Sequence, residues 1–213
     1  GSKTIFDVTL PEADSAIEIT LNMPGRHNVL NALAAICVGY ELGVSSEDMQ
    51  AALARFEGIG RRMHMYGEAK IAQGSVTIVD DYAHHPTELA ATLSATRNAW
   101  PDKRLVAVFQ PHRYTRTRDL FEDFSQVLAG CDVLLLTEVY AAGEELIAGA
   151  DTRSLCAAIR ARGKANPIFV KDVEKLDESL RSVLQDGDLV LTMGAGSIGR
   201  VASQLKESLE AHH

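Results

Sequence analysis

Apolar and polar residues alternate along Ile5–Leu10 (IFDVTL) and again along Ala16–Leu21 (AIEITL), with Pro11 to Ser15 between them. Period-two alternation on either side of a turn-forming stretch predicts a β-hairpin. Asn22 to Gly25 (NMPG) breaks the chain, and Val29, Leu30, Leu33, Ala34, Cys37 and Val38 then recur at helical spacing within His27–Leu42, stopped by Gly43. A second helix is expected over Asp48–Phe56, capped by Ser45 or Ser46 and ended by Gly58 and Gly60. Residues 3–60 thus read as a hairpin plus two helices, a small sheet with no visible partner.

From about residue 62 the pattern changes. Strand-like runs (Val76–Val79, Leu105–Phe109, Val133–Thr137, Pro167–Val170, Leu189–Met193) alternate with helical ones (Thr87–Trp100, Arg118–Ala129, Thr152–Arg162, Val173–Gln185, Ile198–Leu209). Several strands, such as LVAVF, are continuously apolar, which suits strands covered on both faces of a parallel sheet. Alternating β and α predicts an α/β fold with a doubly wound, mostly parallel open sheet. The expected division is residues 3–62 and residues 63–210, with the boundary near Gly58–Tyr66.

Composition narrows the class. Apolar residues make up 46% and charged residues 23%, the balance of a folded domain rather than a disordered chain. The formal net charge of −8 argues against a nucleic-acid or membrane surface as the main partner. No apolar run reaches the length of a membrane span. Cys37, Cys131 and Cys156 form no CxxC and sit in apolar stretches, so buried thiols in a reducing cytosol are expected. Gly1-Ser2 resembles a cleavage scar and His212-His213 a tag remnant, which would place the native start inside a larger protein.

Ligands of open parallel sheets bind beyond the carboxyl ends of the strands. Reactive groups crowd the segments there: Asp80-Asp81-Tyr82-Ala83-His84-His85, Gln110-Pro111-His112-Arg113-Tyr114-Thr115-Arg116, Glu138-Val139-Tyr140 and Gly194–Gly199. The opposite edge, such as Gln185-Asp186-Gly187, is ordinary turn chemistry. Residues 103–118 hold Lys103, Arg104, Arg113, Arg116 and Arg118 with no acid. Arg113 and Arg116 lie three apart at an expected helix start, so they share a face beside amides that favour an anion. Their planar forks suit carboxylate or phosphate. The plainer reading is a solvated face paired with Asp119, Glu122 and Asp123. His84 or His85 could donate or accept a proton near neutral pH, or only cap the Asp81–Pro86 turn. Adjacent histidines point different ways, which counts against a shared metal ion, and no metal-ligand spacing occurs. Gly194-x-Gly196-x-x-Gly199 matches a dinucleotide fingerprint but follows the last strand, not the first. An amide cradle for another anion, or a tight packing turn, fits that position better. Asn28 and Asn31, one helical turn apart, could read a nucleobase edge, although Asn at a helix start is usually a cap. Arg61-Arg62 could be phosphate ligands or a hinge.

Taken together, GRHNVLNALAA, FEGIGRRM, VDDYAHHPTE, FQPHRYTRTRDL, TEVYAAGEE and GAGSIG resemble the back half of a Mur ligase, from about Leu21 to Leu205. The resemblance implies the end of a central ATPase domain followed by a Rossmann-like, amino-acid-ligating C-terminal domain. It implies that Asn28 and Asn31 meet adenine, Arg62 the ATP phosphates and Asp81 the ribose. Tyr82, His84, Arg113 and Arg116 would hold the muramoyl carboxylate and the incoming amino acid. No residue stands out as chemically catalytic. The implied activity is ATP-dependent ligation of L-alanine to UDP-N-acetylmuramate through an acyl phosphate, in the peptidoglycan synthesis of a bacterial cytoplasm. HRYTRTR separates this from the otherwise similar ligase that recycles murein tripeptide. No GxxGKT/S phosphate loop occurs, and Mg2+ ligands are expected outside this stretch. ATP and Mg2+ would therefore act in the full-length parent, with neither held tightly here, and the missing domain halves would be partners. A non-catalytic binding fragment is the competing reading. Ser197 stands where the family has an acid, and Leu146 where it has Pro.

Overall fold

The computed structural model describes residues 3–11, 15–56, 60–163 and 165–211. Part of the expected hairpin turn (12–14), the Gly58 end of the second helix (57–59) and both chain ends (1–2, 212–213) lie outside them. The chain divides into two compact units, Gly1–Met63 with Ala91–Pro101, and His64–Ala90 with Asp102–His213.

In the first unit, β1 (Thr4–Val8) and β2 (Ile17–Leu21) form the expected hairpin, with Thr4 opposite Leu21 and Val8 opposite Ile17. Alternation sends Val8, Ile19 and Leu21 inward. Two helices follow, α1 (Arg26–Glu41) and α2 (Ser46–Arg55). Ser45 caps α2: its hydroxyl accepts the Asp48 N–H at 3.1 Å, and Glu47 and Asp48 complement the helix dipole. Ile36 and Met49 close over Val8 and Ile19 to make a core. Only one row of α1 is buried, Asn28, Ala32 and Ile36. Cys37 therefore departs from expectation and is exposed, while Cys131 and Cys156 are buried. One residue beyond Ile36 is about 100° round the helix, off the buried row.

The second unit is a six-stranded sheet of order β3-β4-β8-β5-β6-β7. Its strands are β3 (His64–Ile71), β4 (Gly74–Asp81), β5 (Leu105–Phe109), β6 (Val133–Thr137), β7 (Ile168–Val170) and β8 (Leu189–Met193). β3 runs antiparallel to β4, and all other pairs are parallel. The fully apolar β5, and β8 with Thr192 as its one polar residue, are buried at every residue, as their sequences predict. The edge strand β3 was not foreseen. It buries only Ala69 and Ile71, and a bulge between Met65 and Gly67 interrupts its alternation.

The helices of this sheet are α3 (Pro86–Ala99), α4 (Tyr114–Asp119), α5 (Phe121–Leu128), α6 (Thr152–Ala161), α7 (Leu176–Arg181) and α8 (Ile198–Glu210). The second half of α3 belongs to the first unit. The single helix expected over Arg118–Ala129 is two, starting earlier and interrupted at Leu120 (φ −117°, ψ 23°). The Thr117 hydroxyl donates to the Arg113 carbonyl at 2.9 Å, a back-bond of the kind that bends helices. The helix expected over Val173–Gln185 is a 3-10 turn, Val173–Lys175, and the short α7. It stops early because the Val183 and Leu184 N–H groups both turn back to Leu180 and Asp188 takes the Gln185 N–H.

Phe109 packs on Phe124 of α5, with ring centroids 5.5 Å apart, on one face of the sheet. Val106, Val108, Leu135 and Val190 face the other way, against Leu176 and Leu180 of α7 and Ile198, Val201 and Leu205 of α8. The neighbours β5 and β8 therefore send their following helices to opposite faces. α6 packs beside α5, so the neighbours β6 and β7 diverge likewise. Such divergences open crevices at the carboxyl edge.

Candidate functional site

The carboxyl edge of the second unit gathers Tyr82, His84 and Arg116 through a residue not singled out beforehand, His112. The Tyr82 and His84 rings meet edge-on with centroids 5.3 Å apart, and His84 lies 6.0 Å from His112. Arg116 Nη1 lies 3.3 Å from His112 Nδ1 and 3.3 Å from the His112 carbonyl. A guanidinium only donates, so His112 Nδ1 accepts. Burial first, then the charges of Arg116, His84 and Arg113, push the His112 pKa below its ordinary value. His112 thus offers a ring nitrogen and a carbonyl that together hold one arm of Arg116 in place. It stands inside HRYTRTR, and only the fold shows the contact.

The two adjacent histidines have separate tasks. His84 Nδ1 lies 3.0 Å from the Tyr82 carbonyl; a carbonyl only accepts, so that nitrogen carries the proton and Nε2 is left available. His85 Nδ1 instead accepts the Thr87 N–H at 3.3 Å, at the start of α3. The backbone N–H groups of both donate to Glu88 Oε2, at 3.0 and 3.2 Å. Arg113 is exposed and has φ 72° and ψ 135°, a region costly for a residue with a Cβ. It is held there by its N–H, which donates to the Tyr140 carbonyl at 2.8 Å.

Two expectations are corrected here. The basic stretch 103–118 is not one patch. Lys103 and Arg104 precede β5 and Arg113 follows it, so a five-residue strand, ~17 Å long, separates them. Lys103 donates to Thr77 Oγ1 and the Gly187 carbonyl at 3.1 and 3.2 Å, and Arg104 pairs with Asp188 at 2.7 Å. Arg118 pairs with Asp119 at 2.8 Å, so of the five only Arg113 and Arg116 lie beyond the carboxyl end of β5 without a carboxylate ion pair among the described residues. Second, the amino end of α4 is already occupied. Glu144 accepts the Thr115 N–H at 3.0 Å and its hydroxyl at 2.6 Å, and these bonds hold its carboxyl below the usual carboxylate range. Three amides of Gly194–Gly199 bond within the fold: Gly194 to the Asp81 carbonyl, Ile198 to Gln110 Oε1 at 2.9 Å and Gly199 to the Gly196 carbonyl. A Cβ on Gly194 would lie 2.8 Å from the Gln110 carbonyl. Ser197 continues this lock, its hydroxyl accepting from Gln110 Nε2 at 3.1 Å.

Asn28, Asn31 and Arg62 come together in the first unit. They line a cavity of about 520 Å³ with Leu21, Met23, Ala32, Leu53 and Phe56. Apolar walls carrying two amides and one guanidinium suit a flat heteroaromatic ring with an anionic substituent. Asn28 Nδ2 is committed to the Pro24 carbonyl at 2.8 Å. Asp81 belongs to the second unit and is buried, its Oδ1 accepting the Ala83 N–H at 2.8 Å.

A larger cavity of about 800 Å³ lies at the carboxyl edge of the second unit, bounded by Gln110, Tyr140, Phe169, Lys171, Glu178 and Ser197 among others. Among the described residues no three His, Cys, Asp or Glu side chains converge as a metal site. No helix among them is long and apolar enough to cross a membrane.

Comparison with known proteins agrees with this architecture. Residues 61–196 match the Mur ligase, glutamate ligase domain. A UDP-N-acetylmuramate–L-alanine ligase of Methylococcus capsulatus is 59% identical over 209 residues, 98% of this chain and 44% of that protein. One of Neisseria meningitidis serogroup A is 62% identical over 193 residues, 90% of this chain and 41% of that protein. The chain thus spans less than half the length of these relatives. The crystal structure of a UDP-N-acetylmuramate–alanine ligase from Thermotoga maritima superposes with a TM-score of 0.71 at 27% identity, covering 92% of this chain and 41% of that one. A murein peptide ligase from Psychrobacter arcticus gives 0.65 at 25% identity, covering 99% and 42%. The matched domain and these relatives make the chain a member of the Mur ligase family.

Proposed function

We propose that this chain is the amino-acid-ligating domain, with the adjoining part of the ATP site, of an enzyme that joins L-alanine to UDP-N-acetylmuramate in bacterial peptidoglycan synthesis. The observation that carries the reading is the Arg116–His112–His84 cluster with Arg113 at the carboxyl edge of the sheet. In the reaction, a muramoyl carboxylate oxygen attacks the γ-phosphorus of ATP, the bond to ADP breaks, and an acyl phosphate results. The alanine amine, having lost a proton, attacks the acyl carbon. The tetrahedral intermediate then expels phosphate and leaves an amide. Fixed cationic forks suit a step in which anionic groups crowd together. Arg113 and Arg116 hold the amino acid and muramoyl carboxylates, and His84 presents Nε2 toward the transferred proton. Asn28, Asn31 and Arg62 supply a cavity for adenine and a phosphate edge.

The in-line grip on the γ-phosphate, with Mg2+ and a lysine, falls to the rest of the ligase. These 213 residues contain no GxxGKT/S loop, so alone they should not turn over. The nucleotide substrates place the reaction in the cytoplasm. The test is phosphate release by the full-length ligase containing this chain, with ATP, Mg2+, UDP-N-acetylmuramate and L-alanine. Turnover requiring all four, and lost in Arg116→Ala, is expected. Turnover with a muropeptide in place of alanine would assign the recycling reaction instead. Turnover by the 213-residue chain alone would reveal a phosphate site within it and overturn its reading as part of a larger enzyme.

A further inference from the structure

We propose that Tyr140 sets the upper size limit of the amine substrate. This rests on the ligase reading above and adds a residue to it. Tyr140 follows β6 and is pinned at both backbone groups: its N–H donates to the Pro111 carbonyl and its carbonyl accepts the Arg113 N–H, each at 2.8 Å. Its ring lies nearly flat against His112, 17° from parallel with centroids 5.4 Å apart. His112 in turn accepts from Arg116. The loop after β8 closes on the same ring, since a Cβ on Gly196 would sit 2.6 Å from Tyr140 Cγ.

Tyr140 also borders the cavity of about 800 Å³, whereas His84, His112 and Arg116 do not. The ring is the partition between the carboxylate-binding cluster and that space. The cavity lies where β6 and β7 part to opposite faces. Lys171, Lys175 and Glu178 on its wall make no ion pair among the described residues. It could therefore receive a long side chain ending in a charge of either sign. A methyl group needs none of this room, so the closed partition favours alanine over longer amino acids. Without the tyrosine ring the two spaces join.

The experiment compares the full-length ligase with its Tyr140→Phe, Tyr140→Leu and Tyr140→Ala variants. Phosphate release is measured with L-alanine, L-lysine and L-glutamate, and KM for ATP reports an intact fold. Wild type and Tyr140→Phe should favour alanine alike. Tyr140→Ala should raise kcat/KM for lysine or glutamate relative to alanine by about tenfold or more, with Tyr140→Leu between. Unchanged ratios in both truncations, with KM for ATP preserved, would overturn the gate. So would loss of folding in every variant, because the ring would then be structural. A wild-type enzyme that does not use alanine at all would instead overturn the functional reading beneath it.

Discussion

Removing Arg104 should destabilise the second unit more than removing its partner Asp188. The pair clamps the amino-terminal edge of the sheet, where Arg104 Nε and Nη2 donate to the two Asp188 carboxylate oxygens at 2.9 and 2.7 Å. That contact is also the main reason the Arg104 pKa is raised. The Asp188 side chain is 2% exposed and that of Arg104 31%. Arg104→Ala leaves a buried carboxylate whose remaining partner is the Gln185 N–H at 2.8 Å, a loss of about 3–5 kcal/mol. Asp188→Ala leaves a guanidinium that reaches water and still donates to the Val183 carbonyl at 2.7 Å, a loss of about 2–3 kcal/mol. Either is a large share of the 5–15 kcal/mol, roughly, that holds a domain together. A joint Arg104→Met, Asp188→Leu replacement should recover part of the loss, since no charge is then stranded. Urea unfolding followed by far-UV circular dichroism gives the totals, and hydrogen exchange at Val106–Phe109 localises them. Fluorescence of the single tryptophan would not, because Trp100 belongs to the first unit. Losses below about 1 kcal/mol for both single variants, or a larger loss for Asp188→Ala, would refute the reasoning.

His112 should titrate below the ordinary histidine value of about 6.5, and Arg116→Ala should move it upward; NMR of the ring resonances reads both. Its lowered pKa means that its share of stability is complete above that ordinary value and is lost as pH falls through the folded-state pKa, which pH-dependent unfolding of wild type against His112→Gln would show. Arg113→Gly should be more stable than Arg113→Ala by about 1 kcal/mol in urea, because φ 72° suits glycine, while both variants lose ligase activity in the full-length enzyme. Gly196→Ala should cost about 1–3 kcal/mol in the same assay, because its Cβ would fall 2.5 Å from Gln110 Oε1 and force the lock on α8 apart.

The sequence by itself determined the α/β class and the hairpin. Strands such as Leu105–Phe109 are buried on both faces and so are apolar throughout, a signature that needs no knowledge of neighbours. Arg113 and Arg116 stood out as a basic pair, but Arg113 caps α4 from outside at φ 72°, so helical spacing of three does not put them on one face. What depended on distant segments was not legible. β3 escaped notice because an edge strand with a bulge buries too little to leave a pattern. Lys103 and Arg104 looked continuous with Arg113 only along the chain; a strand carries them to the opposite edge of the sheet. Tertiary structure alone decided that Glu144 fills the amino end of α4, that Gln110 takes the Ile198 amide, and that His112 joins Arg116 to Tyr140. Each is a hydrogen bond or ring contact closed by folding, and no periodicity of the free chain records which donor will find which acceptor.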